Sequence, residues 1–188
     1  SVTEIWRHLR SATVIAHTVM KAYVTYWLSD DNVVTLEYEA TTDKPTVVNL
    51  SNHTFFNLRG SEPSYVMEHI MQVEADTCVQ NNLQYCPDIL LPVEDTPFDF
   101  REPHVIGERI DMDNEQLQNG LGYDHNWVLD RKTPDQVEFA ASVYEPASGR
   151  FLEVFTDQPA MQFYSGNFFD GTTSGKYGKA LNYRESIA

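Results

Sequence analysis

The sequence predicts an all-β fold, an antiparallel sandwich or barrel, and three observations carry that prediction. Short runs that alternate apolar with polar residues recur along most of the chain, turn-forming residues separate them, and helix signals are few. With 188 residues, 41% hydrophobic and 12% aromatic, the chain has the apolar content to fold around a core without relying on disulfides or metals. One domain spanning residues 1–188 is expected at this length.

Val33–Thr41 is the clearest strand: Val34, Leu36, Tyr38 and Ala40 share one face, and Thr35, Glu37, Glu39 and Thr41 the other. That alternation, rich in β-branched residues, predicts a half-buried strand. Ala22–Leu28 reads the same way, and the intervening Ser29-Asp30-Asp31-Asn32 makes the pair a hairpin. Further strands are predicted at 47–50, 68–75, 89–93, 126–129, 136–144, 151–156 and 161–165, with Pro146-Ala147-Ser148-Gly149 turning a second hairpin. Glu102–Ile110 predicts one short helix, with Pro103 at an early position where its missing N–H costs little, and Asp113–Leu117 a further helical turn. Gly171–Lys179 reads as a loop.

Charge and cysteine content exclude several functions. The formal net charge of −15, from 13 basic and 28 acidic residues, opposes binding to nucleic acid or to an anionic membrane. Cys78 and Cys86 make no zinc pattern; two free thiols are favoured, with a single disulfide left open for an oxidising compartment. No apolar run approaches the ~20 residues of a membrane-spanning helix. Glu4, Arg7, His8 and Arg10 break any signal-peptide core, so a cytoplasmic location is expected, with removal of a leader left open. There is no phosphate loop, no Gly-x-Gly-x-x-Gly, no serine nucleophile elbow and no metal-spaced set of ligands.

Three stretches are unusually polar and aromatic. In Asn52-His53-Thr54-Phe55-Phe56-Asn57-Leu58, His53 is a candidate proton carrier near neutral pH, although taken alone a buried histidine satisfied by backbone is favoured. In Gly120-Leu121-Gly122-Tyr123-Asp124-His125-Asn126-Trp127, Asp124 could accept hydroxyl protons beside an aromatic platform; an Asp-capped turn with Trp127 in the core accounts for the stretch equally well. In Asp157–Phe168, Gln162 lies on an otherwise apolar strand, where its amide needs a partner. His8, His17, His69 and His104 have no such neighbourhood, and Asp95–Arg101 reads as scaffold.

Taken together, these stretches resemble the aldose 1-epimerase (galactose mutarotase) family. Asn52–Leu58 is similar to its Asn-His-(Ser/Thr)-(Tyr/Phe)-Phe-Asn-Leu motif, and Gly122-Tyr123-Asp124-His125-Asn126 to its Gly-(Tyr/Phe)-Asp-His-Asn motif. Gln158-Pro159 through Gln162-Phe163-Tyr164-Ser165-Gly166-Asn167 is similar to a third, and Ala147-Ser148-Gly149-Arg150 and Thr96-Pro97-Phe98-Asp99-Phe100-Arg101 match in kind and order. The likeness runs from about Tyr23 to about Lys179, and residues 1–20 stay unassigned.

The resemblance implies a large antiparallel β-sandwich of the mutarotase type, incomplete in this chain, with a cleft for one hexose such as galactose or glucose. It implies cofactor-free, metal-free interconversion of α and β anomers. His53 would be the general acid that protonates the ring oxygen, while Asp124 and Gln162 would bind the sugar. The family's glutamate base, in a Leu-Glu-Thr-Gln-like motif, has no counterpart in the 188 residues, and neither do its upstream Asn-Arg pair and His-Gly-Gly segment. The expectation is therefore a partial chain with weak or no mutarotase activity of its own, checked by polarimetry on fresh α-galactose. The alternatives are a non-catalytic carbohydrate-binding module and a relic that self-associates through uncovered sheet edges.

Overall fold

Two long strands, β2 (Thr18–Leu28) and β3 (Val34–Thr42), pair antiparallel with Leu28 opposite Val34 and Met20 opposite Thr42. Their turn closes where Ser29 N–H donates to the Val33 carbonyl (3.0 Å) and Asn32 takes a left-handed φ of 61°. A further strand, β1 (Ser11–Ile15), adds to the other edge of β2. This computed structural model describes residues 11–15, 18–60, 64–81, 87–175 and 178–188. The chain divides between Asn52 and His53 into two compact units. The first is this three-stranded sheet, with no second layer of its own among its described residues. Of β3, only Leu36 is even partly buried, so the half-buried strand expected over Val33–Thr41 is a strand with both faces largely exposed.

The second unit is a sandwich of two four-stranded antiparallel sheets. The strands are β4 (Ile70–Val73), β5 (Thr77–Asn81), β6 (Pro87–Pro92), β7 (His104–Val105), β8 (Asp124–Val128), β9 (Glu138–Glu145), β10 (Arg150–Thr156) and β11 (Ala160–Tyr164). One sheet has the order β10-β9-β4-β7, the other β11-β8-β5-β6. Period-2 alternation sends Met71 and Val73 of β4, Ala141 and Val143 of β9, Cys78 of β5, Trp127 of β8 and Phe163 of β11 into one core, joined by Phe98, Phe100 and Tyr123. Burial of these ten side chains is the main stabilising term, at about 1.5–3 kcal/mol for each large one. Trp127 is fully buried and spends its indole N–H on the Phe98 carbonyl (3.1 Å). It is therefore core rather than a sugar platform.

Three further expected elements differ. Val47–Leu50 makes no ladder and runs as an exposed loop, with Val47 82% accessible. Glu102–Ile110 is not a helix: β7 pairs with β4, and a single 3-10 turn covers Ile106–Glu108. There the backbone finds tertiary partners instead of helical ones, since Ile106 N–H donates to His69 O and Gly107 N–H to Met67 O. The short helix α1 (Glu115–Gly120) starts two residues later than expected, because Asn114 caps it by accepting from Gln116 N and Leu117 N. No helix among the described residues is long and apolar enough to cross a membrane.

Candidate functional site

Strand alternation divides the Asp124–Trp127 stretch between two environments. His125 and Trp127 enter the core, whereas Asp124 and Asn126 face the other side of the sheet. On β11, Tyr164 lies opposite Asp124 and Gln162 opposite Asn126, so these four side chains share one face. Gln162 Nε2 donates to Asp124 Oδ1 at 3.0 Å, which supplies the partner its amide needs.

The turn into β8 is held by the third polar stretch. Tyr123 N–H donates to Ser165 Oγ (3.0 Å), Ser165 N–H to Tyr123 O (3.0 Å), and Asn167 Nδ2 to the carbonyls of Gly120 and Tyr123 (both 2.9 Å). Gly122 is required here: its φ is 138°, and a Cβ would meet Asn167 Oδ1 at 2.5 Å. Ser165-Gly166-Asn167 thus fixes where Asp124 begins its strand.

His53 is exposed, with its ring 4.8 Å from Phe55 and edge-on to Tyr164 at 6.1 Å. Phe55 packs on Phe169 (5.1 Å), and Phe168 stacks on Tyr164 (5.7 Å, 18° between planes). Tyr164 is the link: its ring meets His53, and its backbone lies opposite Asp124. The structure therefore brings all three expected site residues into one neighbourhood. Phe55 and Phe168 are exposed and pack on the buried Tyr164 ring, forming the aromatic wall that Trp127 does not supply. The period-2 relation of Tyr164 to Gln162 was the available signal for it.

The loop after His53 is clamped by Ala147-Ser148-Gly149-Arg150. Glu145, fully buried, accepts from Ser148 N (2.6 Å), Ala147 N (3.1 Å), Arg59 Nε (3.1 Å) and Arg59 Nη2 (2.9 Å). Its bonds to Ser148, more than those to Arg59 and Ala147, hold its carboxyl down to about 2. Arg59 also pairs with Glu68, and Ser148 Oγ and Arg150 Nη1 both donate to Leu58 O. Leu58 N–H donates to Nε2 of buried His69 (3.0 Å), so His69, given no role from sequence, is a neutral acceptor whose burial lowers its pKa. His125 is likewise neutral: burial pushes it down to about 4, and Nδ1 accepts from Asp124 N–H (3.0 Å), which leaves the proton on Nε2. Among the described residues, no group of three or more His, Cys, Asp or Glu side chains is arranged to hold a metal ion.

The family model described as aldose 1-epimerase matches residues 17–186. This chain belongs to the aldose 1-epimerase family. It is 39% identical over 161 residues to the galactose mutarotase of Rattus norvegicus, covering 85% of this chain and 45% of that protein. It is 42% identical over 154 residues to the aldose 1-epimerase of Escherichia coli K12, covering 81% and 44%. An aldose epimerase homologue from C. elegans superposes with a TM-score of 0.77 at 28% identity, over 95% of this chain and 57% of that one. A galactose 1-epimerase from Lactobacillus acidophilus shares the fold, with a TM-score of 0.76 at 24% identity. The chain thus spans less than half the length of the curated relatives it matches. The family match begins earlier and ends later than the 23–179 read from the motifs.

Proposed function

We propose that the open face of β8 and β11 binds one hexose and that His53 protonates its ring oxygen during anomer exchange. The observation that carries this reading is the Gln162–Asp124 hydrogen bond beside Tyr164, whose ring contacts His53. The Asp124 carboxylate accepts sugar hydroxyls, with Gln162 orienting it, and the aromatic wall offers ring faces to sugar C–H groups. Exchange needs two proton movements. A base takes the proton from O1, the C1–O5 bond breaks as O1 becomes the aldehyde oxygen, and O5 receives a proton from imidazolium. Rotation about C1–C2 and the reverse steps close the other anomer, returning the proton to His53. The exposure of His53 leaves its ring free to reach O5. Galactose is the substrate this reading favours, from the names of the relatives. A reducing, cytoplasmic compartment goes with it, which the free thiol of Cys78 supports.

Binding is tested by titrating galactose into the labelled protein. Shifts are expected at Asp124, Gln162 and the His53 ring, and Asp124→Ala should abolish them; no shift at any of the three would overturn the reading. Polarimetry tests the acid. His53→Ala is expected to lower whatever exchange the protein catalyses by about a hundred- to ten-thousand-fold with affinity kept. Binding with no acceleration of exchange in any form of the protein would reduce the site to a carbohydrate-binding module.

A further inference from the structure

The segment from Asn182 to Ala188 belongs to no sheet, yet it touches both halves of the proposed site. Ile187 and Phe56 exchange backbone hydrogen bonds (2.8 and 2.9 Å), and Phe56 is three residues beyond His53. Ala188 and Tyr164 exchange another pair (2.8 and 3.0 Å), and Tyr164 lies opposite Asp124. Asn57 Nδ2 donates to the Glu185 carbonyl (2.9 Å). The Ser186 carbonyl lies so close to Gly166 that a Cβ there would come within 2.4 Å of it. The segment therefore acts as a strap: one edge binds the loop that carries His53, and the other binds the strand that carries Gln162.

The course of the strap is set at Arg184. Its backbone is left-handed, with φ of 59°, a conformation uncommon for a residue other than glycine. Arg184 N–H donates to Gly166 O, and its carbonyl accepts from Val66 N–H (both 3.0 Å). Its side chain is 9% accessible, a rare state for arginine, and forks onto Asp111 with Nη1–Oδ2 at 3.0 Å and Nη2–Oδ1 at 2.8 Å. The guanidinium also lies over the Tyr183 ring, 4.6 Å from its centroid. The Arg184 guanidinium bonds Asp111 and the Leu121 carbonyl and stacks on Tyr183, rather than on His53, Asp124 or Gln162.

We propose that Arg184, locked on Asp111, is a positioning residue that sets the spacing between His53 and the Asp124–Gln162 pair through the strap. This rests on the sugar-binding reading above. The fork fixes Arg184, Arg184 fixes the strap against Gly166 and Val66, and the strap holds Phe56 and Tyr164 in register. The acid and the hydroxyl acceptor then keep one separation, which a hexose must match. A lysine would keep the charge at 184 but lose the planar fork, so it should not substitute.

Asp111→Ala tests this with little risk to folding, because the Asp111 side chain is 74% accessible. The Trp127 indole N–H resonance, fixed by Phe98 O in the core, reports an intact fold. In a folded Asp111→Ala protein, the nuclear Overhauser contact between the His53 and Tyr164 rings is expected to vanish. Galactose affinity should fall about tenfold or more, as when a positioned group is displaced. Asp111→Glu should restore both, and Arg184→Lys should not. A folded Asp111→Ala protein with the ring contact and the affinity unchanged would overturn the proposal, as would full function in Arg184→Lys. If Arg184→Lys fails to fold, Asp111→Ala decides alone. If the unaltered protein binds no galactose, the sugar reading fails by itself, and the ring contact still decides whether Arg184 positions His53.

Discussion

The two faces of the β8–β11 pair are built from alternate residues of the same short strands, yet they obey opposite rules. On the core face, His125, Trp127 and Phe163 are closed off from water: the Trp127 N–H has its acceptor, and His125 is kept neutral, with its Nε2 buried and without a hydrogen-bond partner. On the open face, Asp124 and Gln162 bond each other and remain accessible. Chemistry and stability are thus separated by one residue of alternation. Changes on one face should move folding, and changes on the other should move ligand binding.

Trp127→Ala should break the comparison most severely. Removing a fully buried indole is expected to cost about 3–5 kcal/mol, read from denaturant unfolding. His125 gives the next effect, through pH. The neutral form is favoured in the folded state, at about 4 against an ordinary 6.5, so the unfolded chain binds the proton first as pH falls. Its contribution is complete above pH 6.5 and is lost as pH drops towards 4, a loss of about 3 kcal/mol across that window. His69 adds a loss of the same sign, so the test is the difference in pH slope between the native protein and His125→Gln. Gly122→Ala links the faces: its positive φ and the contact with Asn167 predict a cost of about 1–3 kcal/mol and weaker galactose binding together. Asp124→Asn sharpens the comparison from the other side. Unfolding should shift by less than about 0.5 kcal/mol, while galactose-induced shifts disappear.

Much of this was legible because strand periodicity survives in the sequence. His69, Met71 and Val73 alternate as written and are all buried, and the hairpins at 29–32 and 146–149 form. The family resemblance placed His53, Asp124 and Gln162, which the structure brings together. What was not legible depends on partners far away in sequence. Thr77–Asn81 is too polar to read as a strand, and becomes one because β6 and β8 flank it. Val47–Leu50 looks like a strand but has no ladder partner among the described residues. The strap carries no periodicity at all: its place is set by backbone bonds to Phe56 and Tyr164, which any side chains could make. Trp127 was ambiguous because a Trp suits a core as well as a binding face, and only the phase of β8 decides between them.

The pairing of β8 with β11 has one more consequence. No tight turn joins these strands; residues 129–159, including the whole β9–β10 hairpin of the opposite sheet, lie between them. Their alignment is pinned instead at both ends, by the Ser165–Tyr123 bonds and by Leu129 N–H on Pro159 O (3.0 Å). Residues added or removed in the exposed 132–137 turn can therefore be absorbed locally without sliding Gln162 past Asp124. A one-residue change inside 160–164 would put Phe163 beside Asp124 and drive an amide into the core. Length variation during evolution should accordingly collect in the first place and be absent from the second.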